Sequence, residues 1–125
     1  MGLEKVLEIF KKAKEKVPQI LGLALFDKDG LMLISHIDVP DYDEEYAAGF
    51  HADLWVEINR FVSALPDDID GPLKSVILEL GAAYLQIEVI GEYGIMGAIT
   101  SDFGIGALRK IIEEIKPQIL KALEE

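Results

Sequence analysis

Nitrogen and sulfur side chains that could hold a zinc ion are few in this chain of 125 residues. It has two histidines, His36 and His51, and no cysteine. A zinc site needs several His or Cys ligands at short spacing, and neither histidine has a second one nearby. The segment Asp27-Lys28-Asp29-Gly30 begins like a calcium loop, but the third oxygen ligand and the distal glutamate are missing. We therefore expect no metal site and no bound cofactor.

Side chains for nucleophilic or acid–base catalysis are equally poorly placed. Ser35 and His36 are adjacent, so on a strand they point to opposite faces of the sheet. Asp38 follows two residues later and does not complete the geometry of a catalytic triad. Glu113 and Glu114 are neighbours in a helical segment and diverge by about 100°, so they do not form an acid–base pair. The sequence does not predict an enzyme.

A glycine-rich turn, Gly104-Ile105-Gly106, precedes the last helical segment. Such a turn can hold a phosphate at a helix N-terminus. However, a dinucleotide-binding fingerprint needs a third glycine and a P-loop needs Gly-Lys-Ser/Thr, and neither pattern occurs here. These glycines are better explained by a tight turn and by close packing of the helix on the sheet.

The overall charge excludes several classes of partner. Lys and Arg number 12 against 23 Asp and Glu, which gives a formal net charge of −11. Nucleic acids and anionic membranes attract basic surfaces, so neither is an expected partner. Residues 1–16 lack the apolar run of a signal peptide, and no stretch approaches the roughly 18 apolar residues of a membrane span. We expect a cytoplasmic protein without membrane insertion, and the length predicts one domain over residues 1–125.

The positions of apolar residues predict the elements that carry these side chains. An Asp-Gly pair at Asp29-Gly30 is typical of a tight hairpin turn between the first two strands. Pro117 lies inside the last helical pattern and is expected to kink or split that helix. Strand hairpins with segregated helices indicate an α+β sandwich around an antiparallel sheet. The predicted order is a helix at 3–17, strands at 20–26 and 31–37, a helix at 44–65, strands at 73–80, 83–90 and 95–100, and a helix ending near residue 123.

The second predicted helix has a wider apolar arc than packing on one sheet face requires. Its expected core stripe is Ala47, Phe50, Leu54, Ile58, Phe61 and Leu65. A neighbouring ridge consists of Ala48, Ala52, Trp55 and Val62. The only tryptophan, Trp55, either completes the core of the chain or anchors a subunit contact. In the second case Ala48 and Ala52 let two copies of the helix approach closely, which would give a two-fold dimer.

Two segments and the order of elements resemble the roadblock/dynein light chain family, in particular its compact MglB-like members. Residues 17–35, VPQILGLALFDKDGLMLIS, match a strand, an Asp-x-x-Gly turn at Asp27 to Gly30, and a second strand that ends at Ser35. Residues 104–123, GIGALRKIIEEIKPQILKAL, match the last helix. The acidic entry to the second helix also matches, and the resemblance extends over nearly the whole chain.

The resemblance implies a profilin-like or longin-like three-layer sandwich and a homodimer. In the family, a five-stranded antiparallel sheet has the second helix on one face and the terminal helices on the other, in the order αββαβββα. The second helices and third strands pair across the two-fold axis, which on this chain are residues 44–65 and 73–80. The implied dimer interface consists of Ala48, Ala52, Trp55, Val62, Lys74, Val76 and Leu78.

The resemblance also implies a partner, because family members bind Ras-like small GTPases, and some stimulate GTP hydrolysis by them. The candidate partner-binding residues lie on the second helix and are Glu45, Asp53, Glu57 and Arg60. Arg60 also has a simpler explanation, an ion pair with Glu57 or plain solvation. Two alternatives remain. One is a small-molecule-sensing module to which Tyr84, Tyr93 and His36 would contribute, and the other is a purely structural dimerisation module.

The negative charge is concentrated around the second helix. Residues 38–70 contain ten acidic side chains and one basic one, Arg60, whereas residues 1–17 are net positive. An acidic surface of this kind can steer a basic protein partner by long-range attraction, although exposed faces of soluble proteins are often charged. The second helix therefore carries the surplus apolar surface, and together with its flanking loops it carries most of the negative charge.

Overall fold

Three helices and five strands make up the part of the chain that the computed structural model describes, which is residues 2–69, 71–101 and 104–125. A short 3-10 helix, Asp67–Ile69, lies between the second helix and the third strand. The order αββαβββα is the predicted one. The elements are α1 (Leu3–Lys16), β1 (Ile20–Asp27), β2 (Met32–Ile37), α2 (Glu44–Ser63), β3 (Ser75–Glu79), β4 (Ala83–Ile90), β5 (Gly94–Ser101) and α3 (Ile105–Glu124).

The five strands form one antiparallel sheet in the order β2-β1-β5-β4-β3. The first and last strands in this order, β2 and β3, are therefore the two edges of the sheet. The predicted hairpin between β1 and β2 is confirmed, with Leu23 opposite His36 and Ala24 opposite Ser35. β3 is shorter than predicted, since pairing with β4 begins only at Ser75.

Helices α1 and α3 cover one face of the sheet. Their inward apolar side chains meet those of β1, β4 and β5 in the larger of two buried clusters, which includes Phe10, Leu25, Met96, Leu108 and Ile119. Burying aliphatic and aromatic side chains of this size contributes about 1.5–3 kcal/mol each before the entropic cost of ordering the chain. This cluster is the main source of stability on that face.

Helix α2 covers the opposite face, where a smaller cluster contains Ala24, Phe26, Ala48, Ile87 and Ile95. Because β1 contributes Leu23 and Leu25 to one cluster and Ala24 and Phe26 to the other, it is buried on both faces. This explains why nearly every residue of β1 is apolar, and it confirms the expectation of helices on both sides of the sheet.

Of the two outcomes expected at Pro117, a kink or a split, the split does not occur. Helix α3 continues as one element from Ile105 to Glu124, so the proline does not split it. Pro117 is exposed, and the carbonyl group of Glu113, which would bond to its missing N–H, lies on the solvent side of the helix. Water can satisfy this carbonyl, so the missing hydrogen bond is tolerated. Within the described residues, no helix combines the length and the apolar character needed to cross a membrane.

Candidate interaction surface

The polar side chains that could do chemistry are dispersed over the fold. Ser35 lies on the α2 side of β2, where its hydroxyl donates to Glu44 Oε1 at 3.3 Å, whereas His36 is paired with Leu23 on the opposite side. His51 belongs to α2 and is buried on the side of the helix that faces the sheet. Among the described residues, no three His, Cys, Asp or Glu side chains are grouped closely enough to hold a metal ion.

The two turn motifs have local structural roles. Asp27 Oδ1 accepts hydrogen bonds from the backbone N–H groups of Asp29 and Leu31, both at 2.9 Å, so this carboxylate closes the hairpin turn. Gly30 has a φ of 85°, in the region that favours glycine. At the start of α3, a side chain on Gly104 would collide with the Thr100 hydroxyl, so this glycine permits the close packing that its position predicted.

His51 is the polar group around which α2 packs on the sheet. It is 3% exposed, and its Nδ1 lies 2.6 Å from the carbonyl oxygen of Ala47, one turn earlier. Because a carbonyl group only accepts, Nδ1 carries the proton and Nε2 has a free lone pair. The ring stacks on Phe26 with 4.6 Å between centroids. Burial lowers the pKa of His51, and the bond to Ala47 opposes this shift only in part.

The sheet makes room for this histidine at Gly97 of β5. A Cβ atom at that position would lie 2.7 Å from His51 Nε2 and 3.4 Å from Phe26 Cε2. Any larger residue would therefore push the imidazole ring away from the sheet. The close fit of His51 against Gly97 therefore determines which side of α2 faces the sheet.

This packing corrects the predicted core stripe of α2. Phe50 and Phe61 were expected inside, but they are 42% and 67% exposed. The inward side includes Ala47, as predicted, together with Ala48 and His51, which lie outside the predicted stripe, and the predicted Leu54 packs against the same cluster. The apolar arc covers so much of α2 that the spacing of apolar residues does not indicate which side faces the sheet. The side with the small alanines and the stacked histidine lets the helix lie closest to the sheet. The sequence offered one signal that was missed, a histidine in line with alanines on an otherwise apolar face.

The consequence is a row of exposed aromatic residues on the outer side of α2. Tyr46 is 74% exposed and, by helical geometry, lies within about 80° of Phe50 and Phe61 around the helix axis. Asp53 and Glu57 lie on the same narrow side. We call Tyr46, Phe50, Asp53, Glu57 and Phe61 the aromatic–acidic stripe. Exposed aromatic residues in a group are typical of protein-binding surfaces, where they supply most of the binding energy.

The charges on α2 are only partly neutralised. Asp43 Oδ1 caps the helix by accepting from the N–H of Tyr46 at 2.9 Å. Arg60 forms an exposed ion pair with Glu57 at 2.9 Å, which is the simpler of its two explanations. Within the described residues, Glu45 and Asp53 form no ion pair. The four predicted partner-binding residues are thus all exposed, and their net charge is negative.

Four residues of the implied dimer interface lie on α2, and the other three lie on β3 or just before it. Ala48 is 7% exposed and belongs to the cluster under α2, so it offers little surface to another chain. Trp55 packs against that cluster while remaining partly exposed, and Ala52 and Val62 are also half-buried. On β3, Val76 packs towards the α2 side of the sheet. Leu78 is half-buried on the same strand, and Lys74 is exposed just before it.

The side chains named for a small-molecule site do not converge. Tyr93 packs against the α1–α3 cluster, Tyr84 is opposite Thr100 in the sheet, and His36 is on the edge strand β2. A groove of about 260 Å³ does open beside Trp55 and Ile95, with Asp27 and Lys28 at its wall. None of the three named side chains lines this groove, and the Asp27 carboxylate is already used by its turn.

Comparison with known proteins gives a match in structure only. No family model matches the sequence, and no curated protein matches it. The structure of Myxococcus xanthus MglB has a TM-score of 0.87 at 14% identity, covering 99% of this chain and 98% of that one. An MglB structure described with a tetrameric arrangement has a TM-score of 0.85 at 11% identity, covering 98% and 90%. A Roadblock/LC7 domain from Streptomyces avermitilis has a TM-score of 0.70 at 16% identity, covering 90% and 96%.

These matches agree with the observed architecture. The similarity spans nearly the full length of both chains in each comparison, so it includes all three layers of the sandwich. The profilin-like arrangement implied by the resemblance is confirmed as well. At these identities, likeness defines the fold, and the chain therefore has the roadblock/LC7 fold in its MglB-type form.

Proposed function

We propose that this chain is a homodimeric, non-enzymatic regulator or scaffold that binds a Ras-like small GTPase in the cytoplasm. The observation that carries the proposal is the aromatic–acidic stripe, because exposed aromatic residues of this size are costly to leave in water unless a partner covers them. The fold supports the class of protein, since the family that the sequence resembles acts by binding GTPases.

The proposed dimer uses α2 and the edge strand β3. Pairing of two β3 strands would satisfy backbone groups that a sheet edge leaves open and would join two sheets into one. Val62, Val76 and Leu78 would then lose their remaining contact with water. The tetrameric arrangement described for one similar MglB structure supports self-association of this fold. Specific dimers bury roughly 800 Å² per partner, which one helix and one strand can provide.

Self-association is tested by sedimentation equilibrium at micromolar concentration. We expect a dimer for the unaltered chain and weaker association for Val76→Lys, which places a charge in the proposed contact. Leu31→Lys is the matched control, because it places the same charge on an exposed apolar residue beside the other edge strand. A strict monomer at this concentration would refute the dimer.

GTPase binding is tested with the Ras-like protein encoded nearest to the gene for this chain. We expect it to bind when loaded with a GTP analogue and to bind the Asp53→Lys/Glu57→Lys variant about tenfold more weakly. The control Glu92→Lys/Glu113→Lys makes the same charge change at exposed positions outside α2. If neither nucleotide state binds to a chain that still dimerises, the structural dimerisation module is the better description.

A further inference from the structure

The proposed function leaves unused a groove at the opposite edge of the sheet. Its volume is about 720 Å³, and it runs between β2 with its preceding turn and the N-terminal half of α2. Leu31, Met32 and Ile34 contribute to one wall, and Ala48 and Gly49 contribute to the other. Grooves of roughly 300–1,000 Å³ with mostly apolar walls are typical of ligand sites.

The floor of this groove is a sheet edge that is free to pair. Within the described residues, β2 has a neighbouring strand only on the β1 side. The N–H of Asp38 bonds to the carbonyl oxygen of Leu21, so Asp38 faces β1. By the alternation of an antiparallel ladder, His36 also faces β1, while the backbone groups of Ser35 and Ile37 point outward. Two N–H donors and two carbonyl acceptors are thus presented to solvent.

The edge has few of the features that normally prevent pairing. β2 reads MLISHI, without proline, lysine or acidic residues. One irregularity in the pairing with β1 leaves Leu33 outside the register, so regular pairing is available to residues 34–37. At roughly 3.4 Å per residue, this length accommodates about four residues of an added strand.

Among the described residues, the charged side chains in the groove wall are Glu44 and Glu45, and no lysine or arginine lines it. The Ser35 hydroxyl donates to Glu44 and holds that carboxylate over the same side of β2 that faces α2. A second copy of the chain is a poor occupant, because edge-to-edge pairing would bring two acidic grooves together. The charge instead favours a basic segment.

We propose that β2 binds an extended, basic peptide segment of a partner protein by strand addition. Outward N–H and C=O groups of Ser35 and Ile37 pair with the peptide backbone, and every second peptide side chain faces α2. An arginine or lysine at such a position meets Glu44 and Glu45, while the intervening apolar side chains lie on the α1 side of β2, where Leu33 and Ile34 are located. Dimerisation through β3 leaves this edge free, because β2 and β3 lie at opposite ends of the sheet.

The test uses a fluorescein-labelled peptide of about eight residues in which arginine alternates with valine. Fluorescence anisotropy with the full chain should show saturable binding, and a peptide with glutamate in place of arginine should not bind. Glu44→Lys/Glu45→Lys should weaken the affinity about tenfold or more, since each reversal replaces attraction by repulsion. Glu92→Lys/Glu113→Lys, with the same charge change elsewhere, should leave it unchanged.

Strand addition makes a further prediction that simple ionic attraction does not. Hydrogen exchange of the Ser35 and Ile37 amides should slow at least severalfold when the peptide saturates the unaltered chain. Ser35→Pro removes one outward N–H and the hydroxyl that bonds to Glu44, without removing a bond to β1, and should weaken binding about fivefold or more. The proposal is overturned if these amides exchange at the same rate with and without peptide, or if the control reversal weakens binding as much as Glu44→Lys/Glu45→Lys.

Discussion

The contact between Gly97 and His51 can be tested by adding a single methyl group. In Gly97→Ala, the new Cβ would lie 2.7 Å from His51 Nε2 and 3.2 Å from Cδ2. These distances are well inside van der Waals contact, so the imidazole ring must move. It is held by the 2.6 Å hydrogen bond to Ala47 and by stacking on Phe26, and a shift weakens both.

The expected cost follows from these contacts. Forcing an additional carbon into a packed core destabilises by about 1–3 kcal/mol. Loss of the bond from Nδ1 to Ala47 adds about 1 kcal/mol if the ring turns away. Replacing a strand glycine by alanine stabilises the folded chain by about 0.5–1 kcal/mol, because alanine loses less backbone entropy on folding. The net loss in free energy of unfolding is about 1–3 kcal/mol, or a decrease in Tm of about 4–12 °C for a chain of this size.

Urea denaturation measures the loss, with far-ultraviolet circular dichroism for the helices and Trp55 fluorescence for the α2 side of the sheet. Gly49→Ala is the matched control, because Gly49 is in α2 and, beyond its own stretch of helix, no described atom lies within 4 Å of the added Cβ. This variant should gain about 0.5–1 kcal/mol, since alanine is the better helix former. The same replacement of glycine by alanine is therefore expected to lower the free energy of unfolding at position 97 and to raise it at position 49.

A double-mutant cycle with His51→Ala identifies the cause. Removing the imidazole ring should reduce the cost of Gly97→Ala by at least about 1 kcal/mol, because the colliding atoms are gone. The reasoning is refuted if Gly97→Ala is as stable as the unaltered chain, or if its cost is the same with and without the ring.

Three other predictions concern the elements that position α2. Because burial lowers the pKa of His51, the unfolded chain binds a proton more readily than the folded chain, and stability should fall as the pH decreases from 7.5 through about 6.5 towards 5.5. Urea titrations across this range should show how the free energy of unfolding changes with pH. The change due to this one group is limited to about 1.4 kcal/mol per pH unit and should disappear in His51→Phe. Asp43→Ala removes the bond to the Tyr46 N–H and should cost about 0.5–2 kcal/mol in thermal or urea unfolding, whereas a neutral result would mean that the cap does not contribute. Gly30→Ala should cost about 1–3 kcal/mol, because its φ of 85° disfavours a side chain and the Cβ would meet that of Ala52 at 2.7 Å, and an unchanged Tm would contradict both reasons.

The order of elements and the hairpin of β1 and β2 could be predicted because they depend on signals close in sequence. Alternating and continuous apolar runs, an Asp-Gly turn and prolines at element ends act over a few residues. The exclusion of a P-loop likewise required only a local motif. Pro117 shows the limit of such signals, since an exposed proline in a helix packed along one side against the sheet does not end that helix.

The direction in which α2 faces was decided only by the tertiary structure. Apolar residues cover so much of its circumference that either Phe50 or Ala48 could have faced the sheet. Gly97 of β5 and Phe26 of β1 leave a space that fits His51, which lies between two small alanines on α2. Because this side of the helix faces the sheet, Phe50 and Phe61 face outward. The sequence alone therefore determined that α2 has surplus apolar surface and lies within a strongly acidic segment, residues 38–70. Packing between residues far apart in the chain determined which aromatic side chains a partner can contact.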